Sequence, residues 1–512
     1  MNTAAHDFSS TAPDDAYEAE RLANLRPPNW RNPEPAERYA LLVIGGGPAG
    51  LTAIRAAARL GLKVALVEAR LLGGNDLNDG CVPSKTIIRS ARLVAQMRDA
   101  ARFGTCPPDP LQVDFPAIMQ RMRKLRAHLS ARDSVRLLTD LGVDLFFGQA
   151  RFTGPRQVEV DGRTLRFDKA LVATGARPHV PNIRGLAEAG YYTHREIFDL
   201  ERLPGRMLII GGGPLGCELA QAFCRFGAKT TIVQDMPLFL PREERDAAQI
   251  LSDAFARDGL EVRLNTTVQG VQALPDGRKR VDMLSADYLS SVEVDAILTG
   301  AGPLPNVEGL GLEAAGIDYA TGSEGGIRVD DFLATSNPDV YAAGDVCLPH
   351  KYTHVAIASA RVALRNALFS GRKRMHELVV PWCTFTDPEI AHVGLYVREA
   401  NRMQLPVKTF TVPMHEVPRS CMDGEFGGFV KIHVRDGSDR ILGATIVAHD
   451  AGDMLNEISL AMVSGIGLRK LSRVTHAYPT LSEAIRKAAD NYNLTRITPQ
   501  LRARLERWCR HR

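Results

Sequence analysis

The sequence is poor in cysteine, poor in tryptophan and free of long apolar runs. Eight Cys among 512 residues, at 81, 106, 217, 224, 347, 383, 421 and 509, form no Cys-x-x-Cys pair. That density and spacing exclude a disulfide scaffold, and no metal site is expected from the cysteines or the thirteen His. No apolar stretch reaches the ~18 residues that cross a bilayer, so no membrane span is expected. The N-terminal stretch is polar and acidic, without the apolar core of a signal peptide. These absences predict a soluble, cytoplasmic protein. An excess of one charge is missing as well: 63 Lys and Arg stand against 59 Asp and Glu, a net of +4. Residues 501–512 carry five Arg and one Glu, so the tail holds the whole excess and the body is neutral. A neutral body argues against nucleic acid as a partner.

What is present is ordinary globular composition, 45% hydrophobic and 24% charged, long enough for about three or four domains. The arm up to residue 38, with Pro27, Pro28, Pro33 and Pro35, is expected to run over the surface, with a helical turn or two around Asp15–Leu25. The pattern then changes. Leu41–Ile44 reads as a buried strand, followed by Gly45-Gly46-Gly47-Pro48-Ala49-Gly50, a helix over Leu51–Leu60, and a second strand ending at Glu68. The arrangement returns later as Met207–Ile210, Gly211-Gly212-Gly213-Pro214-Leu215-Gly216, a helix through Phe226, and a strand ending at Gln234.

One GxGxxG is weak evidence, but two copies in matching strand–turn–helix contexts predict two dinucleotide-binding units. The first Gly of each (Gly45, Gly211) permits the tight turn. The second (Gly47, Gly213) lets a pyrophosphate approach bare backbone, and the third (Gly50, Gly216) lets helix and strand pack closely. Unpaired N–H groups at the helix start then face the phosphates, and Glu68 is placed to accept from a ribose.

Between and after these units stand Gly73-Gly74-Asn75-Asp76 leading to Gly80-Cys81-Val82-Pro83-Ser84-Lys85, then Ala173-Thr174-Gly175, Tyr341-Ala342-Ala343-Gly344-Asp345, and His476-Ala477-Tyr478-Pro479-Thr480 with Glu483. This series resembles the flavin-dependent pyridine nucleotide–disulfide oxidoreductases, most of all the mercuric-reductase-like and lipoamide-dehydrogenase-like branches. The resemblance covers residues 39–495.

It implies an α/β fold of two Rossmann-type domains, for FAD and NAD(P)H, plus a C-terminal α+β dimerisation domain. The implied boundaries are an arm at 1–38, the FAD domain at 39–183, the NAD(P)H domain at 184–300, a central segment at 301–376 returning to the FAD domain, the dimerisation domain at 377–495 and a basic tail at 496–512. FAD would be held by Gly45, Gly47, Gly50 and Glu68, by Gly74 and Lys85, by Ala173, Thr174 and Gly175, and by Gly344 and Asp345. NADH or NADPH would be held by Gly211, Gly213, Gly216, Gln234 and Gly302. Lys85 is implied to sit beside the flavin, paired with Glu218, and the chain to be a homodimer.

The sequence departs from the family where thiols do the work. The redox motif Cys-x4-Cys reads here as Asp76 and Cys81, and a carboxylate cannot take part in thiol exchange. The family's proton-transferring His falls at Tyr478, five residues before Glu483, and a phenol is a poor base near neutrality. His476 is not expected to replace it. Two readings of Cys81 stand: a redox thiol cycling through a sulfenic acid or mixed disulfide, and an inherited packing residue at the flavin face. Cys509 is either a tail thiol in the manner of mercuric reductases or a terminal surface cysteine. The tail, with Leu501, Leu505 and Trp508 at helical spacing, reads as an amphipathic helix that docks on the dimer or touches a membrane surface.

At the nucleotide end, Gln234 replaces the acid expected for NADH, Asp235 adjoins it, and Pro303 stands where relatives have Arg; the balance leans to NADH. Cys217 and Cys224 are expected in the core, with Cys347 packed behind Asp345. The reading is therefore an FAD-dependent NAD(P)H oxidoreductase serving a small non-disulfide electron acceptor, quinone-like or another oxidant. The alternatives are a mercuric or disulfide reductase using Cys81 with Cys509 of the partner subunit, a flavin-binding redox sensor with little catalysis, and a transhydrogenase.

Overall fold

The computed structural model describes residues 15–369 and 372–510. They fall into two compact units, one up to Pro237 together with Leu260–Leu378, the other Leu238–Gly259 with Val379–Arg512.

The first unit contains two open sheets built on parallel strands, the first extended by the antiparallel strands Gln157–Val160 and Arg151–Gly154. In the first sheet Tyr39–Ile44 lies between Val64–Glu68 and Arg163–Val172, all parallel, with Asp144–Phe147 and Val340–Ala342 extending the two sides. The register sets Leu41 against Val64 and Ile44 against Val172. These strands are apolar almost throughout because helices cover such a sheet on both faces; Leu41, Leu42, Val64 and Leu66 are fully buried. The second sheet repeats the plan with Arg206–Ile210 between Lys229–Val233 and Ala296–Thr299, and Glu261–Arg263 outside.

Helices of this unit are labelled α1 (Ala16–Leu25), α2 (Pro48–Arg59), α3 (Gly74–Asn78), α4 (Cys81–Arg98), α5 (Phe115–Ser130), α6 (Pro214–Phe226) and α7 (Thr353–Leu368). Both α2 and α6 start with Pro at the first position, where its missing N–H costs nothing. Cys217 and Cys224 lie buried on α6, and Cys347 packs against the first sheet's core.

The arm does more than cross the surface. Asp15 caps α1 through the Tyr17 N–H (2.8 Å), and the helix buries Glu18, Arg21 and Leu25. Arg126 of α5 donates to Glu18 (2.9 Å) and Arg123 to Asp15 (2.6 Å). Burial pulls the Glu18 carboxyl up, but Arg126 and Arg21 outweigh it and the net shift is downward.

The second unit is a five-stranded antiparallel sheet in the order Pro381–Thr384, Glu389–Gly394, Ile441–Ala448, Phe429–Arg435, Val407–Pro413. Helices α8 (Ala451–Val463), α9 (Leu468–Leu471) and α10 (Glu483–Leu494) close its core, and α11 (Pro499–Arg510) follows. The helix Arg245–Asp258 belongs to this unit although the strands flanking it in sequence belong to the first.

Candidate functional site

At the first glycine turn Gly45 has φ +105°, and a Cβ there would lie 2.3 Å from the Ala173 carbonyl oxygen. At Gly50 a Cβ would lie 1.8 Å from the Gly45 oxygen, so strand and helix touch through bare backbone. The Glu68 carboxylate accepts from the Gly46 N–H and from the Arg70 N–H, both at 2.6 Å. Burial nevertheless raises its pKa, the two backbone donors opposing. A second backbone roofs this turn: a Cβ on Gly74, at the start of α3, would meet the Gly47 Cα at 2.7 Å.

The second turn has the same frame. Gly211 has φ +109° with its Cβ position 2.6 Å from the Gly300 oxygen, and a Cβ on Gly216 would lie 2.3 Å from the Gly211 oxygen. The Gln234 amide oxygen accepts from the Gly212 N–H at 2.7 Å. Here the described residues leave the second glycine open: a Cβ on Gly213 would meet nothing within 4 Å. Gly302, with φ +93°, accepts from the His179 N–H (2.8 Å) and leads into Pro303, which is exposed.

The redox segment lies between. Gly80 turns so tightly that a Cβ would come within 2.8 Å of the Asn75 oxygen, which brings α3 back onto the start of α4. Thr353, the first residue of α7, donates to the Asp76 carboxylate at 2.9 Å. The same hydroxyl stands 3.9 Å from the Cys81 sulfur. Arg132 adds a long ion pair to Asp76 at 3.9 Å. Although Cys81 is exposed, loss of hydration around the sulfur pushes the thiol pKa up; Asp76 adds to this, while Lys85 and the Thr353 hydrogen bond oppose it. The start of a helix ordinarily favours a thiolate, and here that influence loses. One helical turn on, Lys85 Nζ pairs with the buried Glu218 carboxylate of α6 at 2.7 Å. Asp76, Cys81, Lys85 and Glu218 are thus all in the first unit.

Behind the first sheet, Thr174 and Asn306 exchange two hydrogen bonds of 2.8 Å, which fixes the strand end at Ala173-Thr174-Gly175. A Cβ on Gly344 would press between Ala356 (3.2 Å) and Ala49 (3.5 Å), and Asp345 follows. Burial pushes the Asp345 carboxyl up to about 6, with Lys351 partly offsetting it. The described residues offer that carboxylate no hydrogen-bond donor. FAD fits this frame: a bare-backbone turn at a helix start for the pyrophosphate, Glu68 for one ribose, and an acceptor at Asp345 for a polyol hydroxyl.

Tyr478 and Glu483 are in the second unit. Tyr478 is 71% exposed, and no hydrogen bond links it to Glu483. Glu483 accepts from Arg486 (3.2 Å) through one carboxylate oxygen, while the other is buried without a partner. His476 is held by Glu457 at 2.9 Å, so it is not a free base. Cys509 is exposed on α11.

Sequence reasoning missed three features. Thr353 was invisible because only the packing of α7 on the redox segment gives it a role. Asn78 of α3 is buried and bonded by Arg21 of the arm, and its backbone oxygen accepts from Arg126 (2.9 Å), so α1 helps hold the segment bearing Asp76. His350 and His354 do stand at His-x3-His spacing, a signal the expectation of no metal site passed over. Each instead stacks on Tyr352, with centroids 6.4 and 5.5 Å away and planes within 15° and 7°. Among the described residues no group of three or more His, Cys, Asp or Glu is placed to hold a metal ion.

Comparison with known proteins agrees with this frame. Residues 39–367 match the pyridine nucleotide-disulphide oxidoreductase family, and residues 380–489 match its dimerisation domain. A dihydrolipoyl dehydrogenase of Thermus scotoductus is 34% identical over 88% of this chain and 97% of its own. A mercuric reductase of Lysinibacillus sphaericus is 32% identical over 88% of this chain and 82% of its own. Among solved structures, LpdA from Mycobacterium tuberculosis superposes with a TM-score of 0.80 at 30% identity, covering 89% of this chain and all of that one. The HOCl-induced flavoprotein disulfide reductase RclA from Escherichia coli gives a TM-score of 0.79 at 28% identity, covering 88% of this chain and 99% of that one. The expected α/β fold, the FAD and NAD(P)H cofactors and the enzyme class are thereby established, and the dimerisation domain indicates a homodimer. The chain belongs to the pyridine nucleotide–disulphide oxidoreductase family and is an FAD-dependent pyridine nucleotide oxidoreductase.

Proposed function

We propose that this enzyme oxidises NADH or NADPH and passes the electron pair to a small acceptor that is not a disulfide, a quinone-like oxidant being the class that fits best. The observation that carries the reading is Asp76. Its carboxylate is bonded by Thr353 beside Cys81, at the position where the family's dithiol relay needs its attacking sulfur. A carboxylate neither forms a disulfide nor exchanges with one, and a Cys81 thiol held protonated is a weak nucleophile.

FAD would rest on Gly45, Gly47, Gly50 and Glu68, under Gly74, with Ala173-Thr174-Gly175 and Gly344-Asp345 along its length. The nicotinamide nucleotide would rest on Gly211, Gly213, Gly216, Gln234 and Gly302. The bound flavin supplies the hydride acceptance and the return of two electrons. The protein supplies a fixed charge at Lys85, oriented by Glu218. It also offers a ring stack of exposed His350 and His354 around the half-buried Tyr352, adjoining Thr353, on which a planar acceptor can stack. The balance is NAD(P)H plus a proton plus quinone giving NAD(P)+ plus quinol. Tyr478 and Glu483 have no thiol to serve in this scheme.

Replacement of Cys81 by Ser tests the reading. NADH–menadione turnover is expected to stay within about twofold, because the thiol carries no electrons. Loss of turnover, or reduction of lipoamide or of an aromatic disulfide by the unmodified enzyme, overturns it. Mercuric or disulfide reduction is the second reading, favoured by the relatives named above and by the exposed Cys509. Cys509→Ser abolishes turnover in that case and leaves it unchanged in ours.

A further inference from the structure

The C-terminal end of the second unit carries an arrangement that the redox chemistry does not use. In α11, Leu501, Leu505 and Trp508 are 41%, 50% and 55% exposed. At 100° per residue they fall within a single narrow stripe, flanked on one side by Arg502 and on the other by Arg504. Leu494 and Ile497, just before the helix, are exposed as well. Exposed apolar side chains such as Leu501 and Leu505 in line on a helix of 12 residues mark an interaction surface.

A cavity of about 310 Å³ lies at the foot of the same helix. Arg469, Arg473 and Arg496 line it together with Asn493, Ile497 and Leu501, so the apolar stripe begins in the cavity wall. None of these three guanidiniums, nor those of Arg502, Arg504, Arg507 and Arg510, is ion-paired among the described residues. Glu506 is the single acid between residues 491 and 510, against five Arg. Three unneutralised guanidiniums around one cavity repel each other unless an anion enters, and Arg is the side chain that best takes phosphate.

We propose that this end of the chain is a peripheral membrane-docking surface for anionic phospholipid. The stripe enters the headgroup–acyl boundary, the flanking arginines reach the headgroups, and the cavity takes a lipid phosphate. A second copy of the same tail is the wrong partner, because two helices of like charge repel where an anionic bilayer attracts. The stripe also lies beyond the region matched by the dimerisation domain, which ends at residue 489. The surface is an attachment and not a span, since no helix among the described residues is long and apolar enough to cross a membrane. The inference stands whether or not the acceptor is a quinone.

The test uses the FAD-loaded full-length dimer in vesicle flotation, with phosphatidylcholine alone and with added phosphatidylglycerol. Flotation is expected only with phosphatidylglycerol and is expected to fade as salt rises. Leu505→Glu should abolish it, and Arg473→Glu should weaken it at least about fivefold, the effect of one surface arginine. Both variants should keep the parent's flavin content and NADH–menadione turnover, which shows that they fold. Equal binding to neutral vesicles, no binding to either, or full binding by both variants overturns the proposal. So does sedimentation showing that the tail joins two dimers without lipid and that Leu505→Glu separates them.

Discussion

The two glycine turns share one frame and differ in what lies over it. In both, the first glycine has φ near +105° to +109° and a carboxylate or amide at the second strand's end accepts from the middle glycine. Over the first turn α3 lays its backbone against Gly47, and Glu68 is buried with two N–H donors. Over the second, a Cβ on Gly213 would meet nothing within 4 Å, Pro214 is exposed, and the Gln234 side chain has one donor. On the proposed assignment the roofed turn keeps a resident FAD and the open one exchanges a nicotinamide nucleotide each cycle. The roof is the same segment that carries Asp76, so on that proposal cofactor retention and the non-disulfide route meet in one short stretch of chain.

The sharpest way to break this comparison is to fill both turns. Gly50→Ala places a methyl against the Gly45 oxygen and should cost about 3 kcal/mol or more, giving protein without flavin absorbance. Gly213→Ala has room and should leave flavin content and Tm unchanged, while raising the KM for NADH roughly tenfold by crowding the pyrophosphate. Equal loss of flavin in the two variants contradicts the assignment.

Next come the two residues that close the second strands. Glu68→Gln removes one of two accepted hydrogen bonds and should weaken FAD binding by about 1–3 kcal/mol, read by equilibrium dialysis. Gln234→Glu should leave FAD untouched and shift the kcat/KM ratio toward NADH roughly tenfold, since a carboxylate repels a 2′-phosphate.

A smaller effect belongs to Asp345. Its folded-state pKa is raised to about 6 from an ordinary 3.8, so the FAD-stripped chain binds the proton more tightly than the unfolded chain does. Stability of the stripped protein should therefore fall as pH rises between those two values. A hydroxyl donating to the carboxylate favours its ionised form, so FAD affinity should rise over the same window. Asp345→Asn should flatten both dependences, measured by thermal unfolding and flavin fluorescence. The smallest change is expected for Tyr352→Ala, which removes the middle of the ring stack and should raise the KM for menadione about two- to tenfold with kcat unaltered.

The fold was legible where backbone sterics dictate sequence. Only glycine survives at Gly45, Gly50, Gly211 and Gly216, so the turns and the strands feeding them can be read from spacing alone. The Lys85–Glu218 pair could be named from family resemblance, but not from its separation of 133 residues. Thr353 was hidden for a related reason: its hydroxyl matters only because α7 begins against a segment 277 residues earlier. The arm misled in another way. Glu18, Arg21 and Arg126 are polar by sequence and buried in the structure, because they satisfy one another and Asn78. Polarity patterning detects charges facing water and is blind to charges facing each other. The second turn's openness was equally invisible, being a property of what is absent over Gly213.

The central claim is that no dithiol stands between nucleotide and acceptor, and anaerobic titration of the FAD-loaded enzyme with NADH and then NADPH tests it most directly. Bleaching complete at two electrons per flavin, with no long-wavelength thiolate absorption and full recovery on adding menadione, is the predicted result. Uptake of four electrons with such an absorption band would reveal a working disulfide and contradict the account.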